Sequence, residues 1–223
     1  MIQALESERK VEQEFVESAL KSEKAPKGWP AALIMFHLGM WRERMRNALT
    51  DLSEGRPHTP PGNANEINDA ELPNGIGTPL ADAAARSDHL LAEIIGLYEK
   101  VGERPLQWYR WSTTTDAVLG NSFTHPRIHI YEYLRENGEV DRAVALLEEA
   151  VPAMREASTN PLVHATASYN LACVRARQGR LEEAIEDLTE ALKLRPEMKE
   201  AAAKDADLGA LHDDERFREL VKS

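Results

Sequence analysis

Cysteine is almost absent from this chain: there is one, Cys173, among 223 residues. A single thiol forms no internal disulfide and cannot build a cysteine cage for zinc. Long apolar runs are missing too. The longest, Trp29 to Phe36, falls far short of the roughly 18 residues a membrane span needs. There is no excess of basic charge. The chain carries 38 acidic and 27 basic residues, a net charge of −11, and neither half is basic. A broad phosphate-tracking surface is therefore not expected, which argues against nucleic acid as a partner. The start, MIQALESERK, shows no basic segment followed by an apolar one, so no secretory leader is expected. Sustained period-2 alternation is absent. So are a glycine-rich dinucleotide fingerprint, a phosphate loop and a Gly-x-Ser-x-Gly elbow. What remains is an acidic chain, expected to be cytoplasmic, with 42% hydrophobic residues, enough for a core.

The dominant pattern has the 3.6-residue period of helices. Helix one is expected over about 2–22, with Val11, Phe15, Ala19 and Leu20 on its apolar stripe. Helix two is expected from Pro30 to Leu52. Pro30 suits a first turn, where its missing N–H costs nothing. Residues 53–77 hold five prolines and glycines in their first ten positions alone, so they are expected to form a long functional or mobile loop. Thr78-Pro79 starts helix three, which runs to Val101 with Gly102 behind it. Leu80, Ala84, Leu91, Ile94 or Ile95, Tyr98 and Val101 are its expected stripe, with His89 at the core edge. The aromatic segment Trp108-Tyr109-Trp111 is a loop or a short helix. Helix four is expected from near Thr124 to Gly138, followed by helices near 139–157, 161–178, 181–194, 197–211 and 214–221. The fold class is all-α.

A repeat is visible in the second half. Residues 165–197 place Asn170-Leu171-Ala172, Gly179, Ala184, Ala191-Leu192 and Pro196 at the positions of a tetratricopeptide repeat, which the segment resembles. Ala172, Ala184 and Ala191 are small where two helices approach closely. Gly179 and Pro196 end the two helices. Ser168 and Arg175 depart from the pattern, which prefers bulky aromatics there. A weaker copy starts at Gly138 and is offset by 41 residues. Leu208, Leu211, Phe217 and Leu220 would cap the stack. Such a segment serves as a stabilising extension, as a short peptide groove lined by residues such as Asn170 and Arg177, or as a homodimer interface. Cys173 falls within a repeat helix and is expected to be an inert packed thiol.

In the first half, His125 and His129 stand at i, i+4 and share one helix face, within reach of one ion. Pro126 places His125 at a helix boundary. His37 on helix two would supply a third nitrogen. Three imidazoles bind Zn, Ni or Fe without choosing among them. Gly28-Trp29, followed by Phe36-His37-Leu38-Gly39-Met40-Trp41, with the His125/His129 pair later, resembles the DinB/YfiT-like four-helix bundles. Asn65-Glu66-Ile67-Asn68 further resembles their ClbS/DfsB branch. The resemblance spans about residues 1–137, leaving 138–223 as the repeat segment, with helix 124–137 shared. It implies a divalent metal on His37, His125 and His129 and thiol-transfer, isomerase or hydrolase chemistry on a small electrophile. Trp41, Asn65 and Asn68 would face the substrate. Two other readings stay open: a non-catalytic adaptor working through the repeat face, and a protein that sequesters a small molecule.

Overall fold

The computed structural model describes residues 1–22 and 25–222. The chain divides into two compact units, Met1–Leu146 and Leu147–Ser223. Among the described residues, no helix is long and apolar enough to cross a membrane.

The first unit is a bundle of long helices. It begins with α1 (Ile2–Lys21) and α2 (Ala31–Ser53), followed by the short α3 (Ala64–Glu71) and a 3₁₀ turn over Leu72–Gly75. Next come α4 (Leu80–Val101), the strands β1 (Pro105–Trp108) and β2 (Trp111–Thr113), α5 (Thr114–Leu119) and α6 (His125–Glu136). A π turn over Gly120–Thr124 joins α5 to α6, so the fourth bundle helix is one continuous rod. α2 is the central member, packed along α4 and against α6, and α1 packs on α4 and on the π turn. Its sequence explains this. Residues 31–41 are apolar on nearly every face, and twelve residues of α2 are buried.

Three local expectations need correction. The stretch 53–77 is not an unbroken loop. Asn63 caps α3, accepting from the backbone N–H of Asn65 at 2.9 Å, and the Pro73 turn follows. The aromatic segment is neither loop nor helix but an antiparallel hairpin. Its turn puts Tyr109 in the left-handed region at φ 51°. The fourth helix starts at Thr114, ten residues before the expected Thr124, with Thr113 as its cap.

Polar groups hold the bundle centre. On α1 the buried positions are Ala4, Leu5, Glu8, Glu12 and Phe15, whereas Leu20 of the expected stripe is 60% exposed. Glu12 pairs with the fully buried Arg42 of α2. Arg42 also donates to Ser87 Oγ of α4 at 2.8 Å and to the Ser122 carbonyl of the π turn at 3.4 Å. Glu8 accepts from Arg127 Nε of α6 at 2.6 Å, and Arg127 Nη1 donates to the Leu146 carbonyl at 2.7 Å. Burial pushes the Glu8 carboxyl up, and the Arg127 guanidinium partly offsets it. Two arginines thus reach across all four helices.

α7 (Val140–Ala157) leads into the second unit, which contains α8 (Pro161–Arg177) and α9 (Leu181–Leu194). Only three residues join α8 to α9, and Gly179 turns there at φ +75°. Ala172, Ala184 and Ala191 are fully buried where these helices meet. The two departures from the repeat pattern have a physical account. Ser168 is buried between Arg155 and Glu190, donating to the carboxylate at 3.1 Å. Arg175 bonds Glu148 at 3.2 Å and Asp187 at 2.8 Å. A polar interlock stands at the two positions where the repeat pattern prefers bulky aromatics. The expected helix 197–211 is instead broken into a 3₁₀ turn at Pro196–Met198, α10 (Lys199–Ala202) and a 3₁₀ helix at Ala206–Leu211, before α11 (Glu215–Leu220). Leu208, Leu211 and Phe217 close the core, with Leu220 packed against it.

Candidate functional site

His37 lies about two turns into α2, and His125 and His129 lie one turn apart on α6. Their Nε2 atoms converge. His125 Nε2 is 3.0 Å from His37 Nε2 and 3.0 Å from His129 Nε2. The three ligand atoms lie within 4.8 Å of one another. His125 is therefore the apex of the group, although Pro126 follows it directly.

The π turn accounts for that. A proline inside an α-helix lacks the N–H that would reach the carbonyl four residues back. For Pro126 that carbonyl belongs to Ser122, and Ser122 accepts from Arg42 instead. The wider turn just ahead of the proline lets the helix run on without a break, with His125 inside it. Such single π turns concentrate at functional sites.

Burial decides the charge state of the group. It holds His37 down at about 3, aided by His129, and holds His129 down at about 4. Burial and both neighbouring rings hold His125 well below the usual imidazole range. All three rings are neutral near pH 7, the form that ligates metal.

A proton count tests whether a cation fits. Each neutral imidazole has one N–H and one in-plane lone pair. His125 Nε2 faces two nitrogens but has only one proton or one lone pair to offer. One cation at the centre satisfies all three at once. Two nitrogens each ~2.05 Å from an ion stand roughly 2.9 Å apart at a right angle and roughly 3.3 Å apart at the tetrahedral angle. The two separations at His125, both 3.0 Å, lie in that range. His37 Nδ1 is buried without a partner, so this ring is held by packing and not by a hydrogen bond behind it. The packing is aromatic. The Trp29 ring lies nearly parallel to His129, centroids 5.5 Å apart, and meets His37 edge-on.

The histidines form the floor of a cavity of about 360 Å³, at the small end of ligand sites. Trp29, Trp41, Trp108, Tyr109 and Trp111 wall it, with Asn68, Asn121 and Arg110. Trp41 Nε1 donates to Asn68 Oδ1 at 3.1 Å, and Asn121 Nδ2 donates to the Trp41 carbonyl at 3.2 Å. The hairpin brings in Trp108, Tyr109, Arg110 and Trp111, and the Tyr109 hydroxyl donates to the Gly62 carbonyl at 3.0 Å. Gly120 is required here. A Cβ at that position would stand 2.5 Å from Trp111 Nε1.

Of the residues expected at the substrate, Trp41 and Asn68 line the cavity. Asn65 does not; it is exposed on the outer side of α3. His89 is 75% exposed on its side chain and belongs neither to the core edge nor to the site. The segment 108–111, expected at the mouth of a pocket, brings in Arg110; Trp29, read as bundle packing, is also a wall residue, and Asn121 was missed. Asn121 stands four residues before His125, a spacing that would have placed it on the same face. In the second unit Asn170 is half-buried on α8, and Arg177 is exposed and paired with Asp207. Cys173 is buried, and its thiol is pushed up to about 12 by burial and by Asp205.

A tetratricopeptide repeat family model matches residues 131–197. The match runs from the end of α6 through α7, α8 and α9, so this segment is repeat-like in sequence as well as in helical arrangement. Neither a curated protein nor a solved structure matches the chain.

Proposed function

We propose that His37, His125 and His129 hold one divalent cation, zinc, nickel or iron, and that the bundle is a metal-dependent enzyme acting on a small electrophile by thiol transfer or hydrolysis. The convergence of three neutral imidazole nitrogens from two helices carries this reading, and the likeness of residues 1–137 to the DinB-like bundles agrees with it. A divalent cation in this position supplies Lewis acidity and acidifies a coordinating water or thiol. The protein's own residues do the rest. Three histidine ligands would leave coordination positions for water or substrate, as a catalytic site requires. The indole walls exclude water, and Asn68, bonded to Trp41, fixes one wall. The cavity lining contains no carboxylate among the described residues, so no carboxylate base is assigned.

Residues 138–223 act as a helical repeat segment that binds a protein partner, with helix 124–137 shared between site and repeat. The family match over 131–197 supports this second role. Metal analysis of untagged protein tests the first. About one equivalent of zinc, nickel or iron is expected in the wild type. None is expected in a folded His37→Ala/His125→Ala/His129→Ala variant. A wild type that stays empty after metal addition would leave the repeat as the functional part.

A further inference from the structure

We infer that the ligand of the aromatic cavity is a small organic anion with a flat, conjugated body, its acidic group at the histidine floor. This rests on the metal reading above and adds the substrate class. The first argument is charge. Acidic residues make up 38 of the 223 in the chain, yet none of the thirteen described residues lining this cavity is acidic, and one is an arginine. Histidine ligates a metal as the neutral imidazole, so the three ligands do not themselves offset the charge of a bound cation; the Glu132 carboxylate stands 4.0 Å from His129 Nδ1 but outside the cavity lining. A buried charge without a counter-charge is costly. Among the described lining residues none supplies negative charge, which favours an anionic ligand. The Arg110 guanidinium also lies in the lining, 5.1 Å from the centre of the Trp111 ring.

The second argument is shape. All four tryptophans of the chain line this one cavity, with Tyr109. Indole faces favour flat partners by offset or edge-on stacking. Aromatic walls alone would also suit an organic cation. Arg110 and the metal reverse that preference, because both repel a cation at short range. Charge therefore separates the two ligand classes that the walls would accept.

Isothermal titration of zinc-loaded protein tests this with three probes of one shape: cinnamate, cinnamyl alcohol and cinnamyltrimethylammonium. Zinc content is measured on the same samples. Cinnamate is expected to bind at least tenfold tighter than the alcohol, and the ammonium probe least tightly. Arg110 is exposed, so Arg110→Gln leaves the fold intact. It is expected to weaken cinnamate several-fold and to leave the alcohol unchanged. Zinc uptake with equal binding of acid and alcohol, or with tighter binding of the ammonium probe, would overturn this inference and leave the metal reading standing. Absence of zinc uptake would overturn both.

Discussion

Replacing Arg42 with methionine is expected to cost the bundle about 3–5 kcal/mol, because it leaves a buried charge without its partner. Arg42 is 0% exposed and Glu12 is 4% exposed. The guanidinium is bidentate to Glu12, with Nη1 to Oε2 at 2.7 Å, and it also satisfies Ser87 and the Ser122 carbonyl. Methionine fills much of the volume and offers none of those donors. Glu12 and Ser87 would then be buried with nothing to bond. Urea unfolding of the first unit reads the effect as a midpoint lowered by more than 1 M, given a slope of roughly 1–3 kcal/mol/M. The double variant Glu12→Met/Arg42→Met should recover most of the loss, since an apolar pair often matches or exceeds a buried ion pair. A single variant within 1 kcal/mol of wild type would show that this network does not hold the bundle together. Because Arg42 also reaches the π turn just ahead of His125, its loss should loosen the metal site as well.

The second large effect concerns His125. Zinc at a thousandfold excess over its Kd is expected to stabilise the wild-type bundle by about 4 kcal/mol. For a unit of this size that is a rise in Tm of roughly 8–16 °C. His125→Ala should abolish the rise, because His125 Nε2 is the atom 3.0 Å from both of its neighbours. Removing it leaves two ligands that no longer share an apex. His89→Ala is the control: that side chain is 75% exposed and distant from the site in function. It should keep the full zinc-dependent shift. An equal shift in His125→Ala and wild type would place zinc elsewhere.

Much of this was legible in the sequence, for identifiable reasons. The long helices announce themselves through periodicity, and Pro79, Gly102 and Gly179 punctuate them correctly. The repeat shows because Ala172, Ala184 and Ala191 must be small where helices touch. The His125/His129 pair is legible because i, i+4 shares a face on any helix. Other features were hidden by competing rules. Pro126 signals a helix start, and only the π turn before it allows the helix to pass through. Strands of four and three residues are too short to show alternation, so the Trp-rich hairpin carried no strand signal. Glu8 and Glu12 look like the solvent face of α1 until arginines from α6 and α2 arrive to pair with them. Those partners are 119 and 30 residues away, and no local pattern reports them. Asn63, a routine turn residue, turned out to cap a helix inside the proline-rich stretch.

X-ray absorption at the zinc edge of the zinc-loaded protein is the most direct test of the three-histidine centre. The expected spectrum shows three imidazole nitrogens at about 2.0–2.1 Å, with the imidazole scattering reduced in the His37→Ala variant. A spectrum of oxygen ligands alone, or one that the histidine substitution leaves unchanged, would contradict the account.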